Sequence, residues 1–261
     1  MLKHRLIPVL LLQNGKLVRS ERFEIHQVIG NPIHEVARFN EWSVDELVYL
    51  DISRDGSYDQ GRDDHAIGGL NDPIAILDAV AETCFMPLTF GGRIRSLDDM
   101  QVRFEHGADK ITLNTAAFRD RALITEAAKR YGAQAVVISI DIRRRDDGTY
   151  EVFVDGGATA TGLNAVDWAR EVADRGAGEI LLQSIDRDGV ANGYELPAIT
   201  AVAQATRIPV IALGGVGRYE HYVAGIKAGA SAVAAANIWH FKELADRGGK
   251  RTMASAGIAV R

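Results

Sequence analysis

The sequence predicts an α/β chain folded as one (βα)8 TIM barrel over residues 1–261, with an internal half-barrel repeat. Three observations carry that expectation. The length of 261 residues matches the roughly 250 residues of a one-domain barrel. Short β-rich runs alternate with amphipathic segments, the pattern of parallel βα units rather than hairpins. The two halves also resemble each other, and internal repetition is a direct guide to architecture.

Taken in order, the strands fall at residues 5–11, 46–51, 87–91, 110–114, 135–141, 179–184, 209–213 and 231–236. Helical patterns follow them, among them NPIHEVARFNEW, SLDDMQVRFEHG and DRALITEAAKRYG, the last two ending in Gly107 and Gly132 as C-caps do. PLTFGGRIR parallels PVIALGGVGR, and GADKITLNTAAF parallels GASAVAAANIWH. Pro87 and Pro209 lie 122 residues apart, as do Gly107 and Gly229, whereas Glu46 and Glu179 lie 133 apart. The 11 extra residues of the first half fall in SRDGSYDQGRDDHAIGGLND, a loop composition at the carboxyl end of a strand, read either as a solvated insertion or as a lid over the active face. A second excursion, RRRDDGTYEVFVDGGATATG, reads as a β-hairpin turning at Asp147-Gly148.

A formal charge of −5 and a pI near 5.8 provide no general attraction to nucleic acid or anionic membrane, so any phosphate site is local. The single cysteine, Cys84, excludes an intrachain disulfide and reads as a small buried hydrophobe. The apolar N-terminal run is interrupted by Pro8 and ends in a polar turn without a small-residue cleavage site, so it reads as a strand. No apolar stretch approaches the roughly 20 residues of a membrane span, and a cytoplasmic location is expected.

Glycine pairs follow the third strand (Gly91, Gly92) and the seventh (Gly214, Gly215), and Asp188-Gly189 follows the sixth. Each pair is followed one strand later by an asparagine turn, Asn114-Thr115 and Asn237. Glycine lets backbone N–H groups approach an anion closely, which predicts two opposed phosphate sites; the alternative is that the glycines only make tight βα turns. His4, His26, His34, His65, His106, His221 and His240 lack metal-ligand spacing, so neither metal nor cofactor is expected. Trp42, Trp168 and Trp239 are assigned to the helix layer.

IDRDG, GAGEILL, LNTAA, VDELVYLDI, GADK and TGLNAVDWAREV, in this order-bearing context from about Arg5 to His240, resemble the cyclase subunit of imidazole glycerol phosphate synthase. The resemblance implies a substrate with a phosphate at each end and two aspartates, at the ends of strands 1 and 5, as general base and acid. The strand 5 aspartate is Asp141, but the strand 1 position holds Leu11. Leucine transfers no proton, and losing one such group costs about 10²- to 10⁴-fold in rate. Asp51, Asn114, Thr115, Asp186, Asp188 and Gly189 match the family's ligand positions, with Gly92, Gly214, Gly215 and Ala236 at the phosphate turns. Departures are Arg93 for a glycine, Leu213 and Asn237 for serines, and Arg19 for a mobile lysine; Arg93 is suited to clamp a phosphate or carboxylate.

Arg5, Glu46, Lys110 and Glu179 stand at strand entrances, each before an apolar run. Buried charges need partners, and two cations with two anions neutralise each other as a ring; stability alone is the other reading of charges on this face. The resemblance makes them an ammonia gate and turns Asp109 toward a docked glutaminase. Arg5, Ile7, Val9 and Leu11 share one side of the first strand, joining the ring to the altered site over about 20 Å at roughly 3.3 Å per residue. Chains of this type with leucine in place of the aspartate resemble paralogues that work with a glutaminase and an ATP-dependent amidotransferase on acetamidino sugars of surface polysaccharide. The alternatives are a histidine-pathway cyclase using Asp51 or Asp186 as substitute acid or base, and a non-catalytic barrel scaffold.

Overall fold

The computed structural model describes residues 3–42, 44–53 and 72–261. Its strands are β1 (Arg5–Gln13), β2 (Lys16–Glu21), β3 (Ile25–Gly30), β4 (Leu47–Asp51), β5 (Leu88–Gly91), β6 (Lys110–Leu113), β7 (Val136–Arg144), β8 (Tyr150–Val154), β9 (Thr159–Asn164), β10 (Glu179–Ser184), β11 (Val210–Leu213) and β12 (Ala232–Ala235). Eight of them pair in parallel in the order β10-β11-β12-β1-β4-β5-β6-β7, and β10 returns to pair with β7. The sheet is therefore a closed eight-stranded barrel with helices on its outside, the architecture expected.

Strand alternation explains how one sheet builds two cores. On β1, Ile7, Val9 and Leu11 join Val48, Val137, Leu181, Ile211, Leu213, Ala232 and Ala234 in an inner cluster, whereas Leu6, Leu10 and Leu12 join the cluster beneath the helices. Successive Cβ atoms point to opposite faces, so near-continuous apolar runs are required where both faces are buried. In the outer layer the Phe39 ring meets Trp239 edge-on at 5.7 Å and Trp42 at 5.9 Å. Trp168 is buried on its helix, packed edge-on against Phe118. The helix Leu97–Glu105 begins with a capping box in which Ser96 and Asp99 satisfy each other's backbone N–H groups, and Gly132 caps the helix Ala122–Tyr131 at φ 86°.

Two hairpins extend the barrel at its carboxyl end. One is expected: β7 and β8 are joined through Asp147-Gly148, with the Gly148 N–H donating to the Arg145 carbonyl at 3.0 Å. The other corrects the reading of QNGK as a polar turn closing a strand that ends at residue 11. β1 runs on to Gln13, turns through Asn14 (φ 50°) and Gly15 (φ 78°), and pairs antiparallel with β2, which pairs with β3. Asn-Gly is the preferred pair for a two-residue hairpin turn because both residues accept positive φ. The stretch expected to carry the insertion after the second barrel strand, residues 53–72, lies outside the described residues except for Ser53 and Asp72. Cys84 is half-buried rather than buried; its thiol donates to the Met86 carbonyl at 3.3 Å, and burial raises its pKa.

Phe39, with no exposed surface, and Phe85, 88% exposed, give a direct contrast. Phe39→Ala should destabilise the fold by about 3–5 kcal/mol in denaturant unfolding, whereas Phe85→Ala should change it by no more than about 0.5 kcal/mol.

Candidate functional site

At the amino-terminal end of the barrel four charged side chains meet. Arg5 Nη1 donates to both Glu46 oxygens at 2.8 and 3.0 Å, and its Nη2 donates to Glu179 Oε1 at 2.6 Å. Lys110 Nζ lies 2.9 Å from Glu179 Oε2 and 3.4 Å from Glu46 Oε2. The cycle is closed: each cation touches both anions. Burial raises the Glu179 carboxyl, but the hydrogen bond from Arg5 and the charges of Arg5 and Lys110 outweigh it and hold its pKa low. Burial likewise opposes the charge on Arg5, and the two carboxylates outweigh it and raise its pKa. Arg261, not singled out from the sequence, adds a further cation 3.8 Å from Glu46 Oε1. Asp109 is exposed beside Lys110, its carboxylate accepting from the Leu88 N–H at 2.8 Å.

Above the ring lies the inner apolar cluster. One sector differs. Thr112 pairs with Val137, and Thr89 with Val48 and Lys110, so parallel register places both threonines on the inner face of their strands. Thr112 Oγ1 is buried and has no hydrogen-bond partner among the described residues.

At the carboxyl end Asp141 is buried. Its Oδ2 accepts from Asn114 Nδ2 at 3.1 Å and its Oδ1 from Ser139 Oγ at 3.1 Å. Burial raises its pKa to about 7; the Ser139 hydrogen bond opposes this and the charge of Asp188 adds to it. Asp188 is also buried, and burial raises its pKa against the opposing hydrogen bonds from Ser20 and the Phe23 N–H. Leu11 is 5% exposed, paired to Leu50 on β4 and Val18 on β2. No ionisable group stands at that position.

The hairpin β2–β3 bonds to the turns after β10 and β12. Ser20 Oγ donates to Asp188 Oδ2 at 2.7 Å, the Arg22 N–H to the Asp188 carbonyl at 3.0 Å, and Asn237 Nδ2 to the Ser20 carbonyl at 2.8 Å. Asp188, Gly189, Leu213, Gly214, Gly215, Ala236 and Asn237 do come together, but the cleft among them has a volume of only about 20 Å³. Arg19 is on the hairpin's other face, donating to Gln27 at 2.5 Å with its guanidinium 5.8 Å from the Phe241 ring. Alternation on β2 explains this: Val18 and Ser20 are buried toward the barrel, and Arg19 between them points away.

None of the remaining candidates lines that cleft. Asp51 accepts from the Ser53 N–H at 3.0 Å, and Asp186 accepts from the Arg144 N–H at 3.0 Å on the rim. Thr115 Oγ1 donates to Asn114 Oδ1 at 3.2 Å and accepts from the Asp155 N–H at 2.9 Å. Gly92, at φ 98°, leaves no room for a side chain, since a Cβ there would stand 2.1 Å from the Asp51 carbonyl; a steric reason alone accounts for this glycine. Arg93 follows it at φ 57°, a conformation that costs a non-glycine residue about 1–2 kcal/mol. A larger cavity of about 330 Å³, lined by Arg22, Glu24, Arg143, Ile185 and Asp186, opens beside the hairpin tip. Among the described residues there is no cluster of three metal-ligating side chains, and no helix long and apolar enough to cross a membrane.

Because the folded protein holds Asp141 protonated up to about pH 7 while an unfolded aspartate ionises near 3.8, its contribution to stability is complete below the lower value and is lost as pH rises through the higher. Asp141→Asn removes that penalty. The variant should be more stable than the parent at pH 8 in chemical denaturation, and the advantage should shrink steadily as pH falls toward 4.

A family model described as "Histidine biosynthesis protein" matches residues 5–245. The chain is 42% identical over 264 aligned positions to "Imidazole glycerol phosphate synthase subunit HisF" of Gluconacetobacter diazotrophicus, the alignment covering all of this chain and 97% of that protein. With its closed barrel, the charged ring at its base and Asp141 at the end of the fifth barrel strand, the chain belongs to the histidine biosynthesis protein family and is HisF-like.

Proposed function

We propose that this chain is the ammonia-receiving barrel of a glutamine amidotransferase, docked at its base on a glutaminase that it activates. The observation that carries the reading is the closed cycle of Arg5, Glu46, Lys110 and Glu179 beneath an axial apolar cluster. Neutral ammonia tolerates an apolar passage that excludes ammonium and hydrated ions, because only the charged species carries a large desolvation cost. Opening such a ring requires only that one cation swing aside, and Lys110 is the suitable one: it is a flexible point charge, whereas Arg5 is held by a planar fork on two carboxylates. The unpartnered Thr112 hydroxyl offers a passing ammonia molecule a group that both donates and accepts.

The loss of the strand 1 acid at Leu11 favours hand-over of the ammonia to an ATP-dependent amidotransferase acting on an N-acetyl sugar for surface polysaccharide. A second reading is favoured by one observation, that Asp141 is retained as a buried carboxyl whose pKa burial raises to about 7. In that reading ammonia is used in place, on a phosphorylated substrate; the HisF relative is named as a subunit of imidazole glycerol phosphate synthase.

Adding the chain to a glutaminase that binds it should raise glutamine hydrolysis by roughly tenfold or more, a coupling of at least about 1.4 kcal/mol. Lys110→Met and Glu179→Gln should each reduce that stimulation severalfold. A glutaminase that binds the chain and shows no stimulation removes the proposal.

A further inference from the structure

We infer that Lys250, on the helix Ala245–Ser255, is a positioning residue of the charged ring and acts on Glu46 through an ion pair with Asp45. The helix pins one half of the ring from outside and leaves Lys110 as the part that moves. This role rests on the gate proposed above and extends it to residues outside the ring.

The base of the barrel is braced unequally. Lys250 Nζ lies 2.7 Å from Asp45 Oδ1, and the other oxygen, Oδ2, accepts from the Leu6 N–H at 3.0 Å. Asp45 precedes Glu46 and Leu6 follows Arg5, so one carboxylate ties together the two backbones that carry the Arg5–Glu46 pair. One residue earlier in the helix, Gly249 comes so close to β1 that a Cβ there would stand 2.6 Å from Leu6 Cδ2. Beyond the helix, residues 259–261 run parallel to His4. The His4 N–H donates to the Ala259 carbonyl at 2.8 Å and the Arg261 N–H to the His4 carbonyl at 3.0 Å, which leaves Arg261 Nη1 3.8 Å from Glu46 Oε1. The other half of the ring has no such brace. Asp109, which precedes Lys110, makes the same kind of backbone contact, accepting from the Leu88 N–H at 2.8 Å, but it pairs with no cation among the described residues.

Burial makes the Lys250–Asp45 contact firm. The Asp45 side chain is 5% exposed and that of Lys250 19%, whereas Arg261 is 56% exposed. A buried carboxylate that loses its cation keeps the cost of its charge, so Asp45 holds Lys250 with little slack. The longer contact of the exposed Arg261 is screened by solvent and carries little. Glu46 takes its place from this clamp. Its two oxygens must meet Arg5 Nη1 at 2.8 and 3.0 Å and Lys110 Nζ at 3.4 Å at once, and a shift of its backbone lengthens all three contacts. Gating needs such a division between a fixed half and a moving half. Were every member equally loose, Glu46 and Arg5 would follow Lys110 as it swings, and the closed cycle would be lost as a whole. With Glu46 fixed, one cation moves while Arg5 stays on both carboxylates.

The test uses the full chain with a glutaminase that binds it. Lys250→Met should keep its affinity for the glutaminase within about twofold of the parent, yet lower the maximal stimulation of glutamine hydrolysis by about threefold or more, the size of effect carried by residues that touch neither ligand. Asp45→Asn, which still accepts from the Leu6 N–H, should do the same. The double variant should lose no more than either single one, because both remove one contact. Lys250→Arg restores the ion pair and should recover most of the stimulation. The inference is overturned if Lys250→Met stimulates as the parent does, if it loses glutaminase binding together with stimulation, if the two single losses multiply in the double variant, or if Lys250→Arg recovers nothing. A parent that gives no stimulation removes the gate and this role with it, whereas a stimulating parent with an unaffected Lys250→Met removes this role alone.

Discussion

Two cations and two carboxylates share the entrance to one barrel axis, and the arrangement around them follows from that constraint. A single charge taken into a barrel mouth costs several kcal/mol, and removing one member of a buried pair leaves its partner to bear that cost. Here each carboxylate receives both cations, so the ring is satisfied only when all four strands β1, β4-side Glu46, β6 and β10 enter the barrel in register. The four side chains thereby fix the alignment of strands distant in sequence, and the inner cluster of Ile7, Val9, Leu181 and Ala232 is stacked above them. The same closure separates the axis from solvent below. Under the proposed function, stability and gating are two consequences of one arrangement.

The carboxyl end obeys a different balance. Asp141 keeps its neighbours Asn114 and Ser139, yet its environment favours the neutral acid, because burial outweighs the hydrogen bonds that support the anion. Leu11 removes a potential negative charge from the same mouth, and the hairpin that continues from β1 lays Ser20 on Asp188 instead. The hairpin thus satisfies a buried carboxylate and joins the turns after β10 and β12.

Most of the barrel was legible because its strands are long apolar runs bounded by polar residues, and because charge immediately before such a run marks an entrance. The ring positions were readable for that reason. The β2–β3 hairpin was less so: Asn14-Gly15 is a strong turn signal, but β3 carries exposed Ile25 and Val28 and lacks a clean alternation. Arg19 illustrates the consequence. Its charge suits a phosphate, while its side of the strand is set by a pairing register that shifts between Leu17 and Val18, and composition does not encode that shift. Ser139 was available from spacing, two residues before Asp141 on the same face. The effect of Asp188 on Asp141 was not, since it arises from adjacent strands far apart in the chain.

The central claim is that the four charges at the base act as one closed, buried unit. A double-mutant cycle on Arg5→Met and Glu179→Met, read by denaturant unfolding at neutral pH, tests it most directly. The account predicts a coupling of about 1.5 kcal/mol or more, with the double variant less damaged than the sum of the two single variants. Effects that add to within about 0.5 kcal/mol would mean that the side chains are independently solvated, and would contradict it.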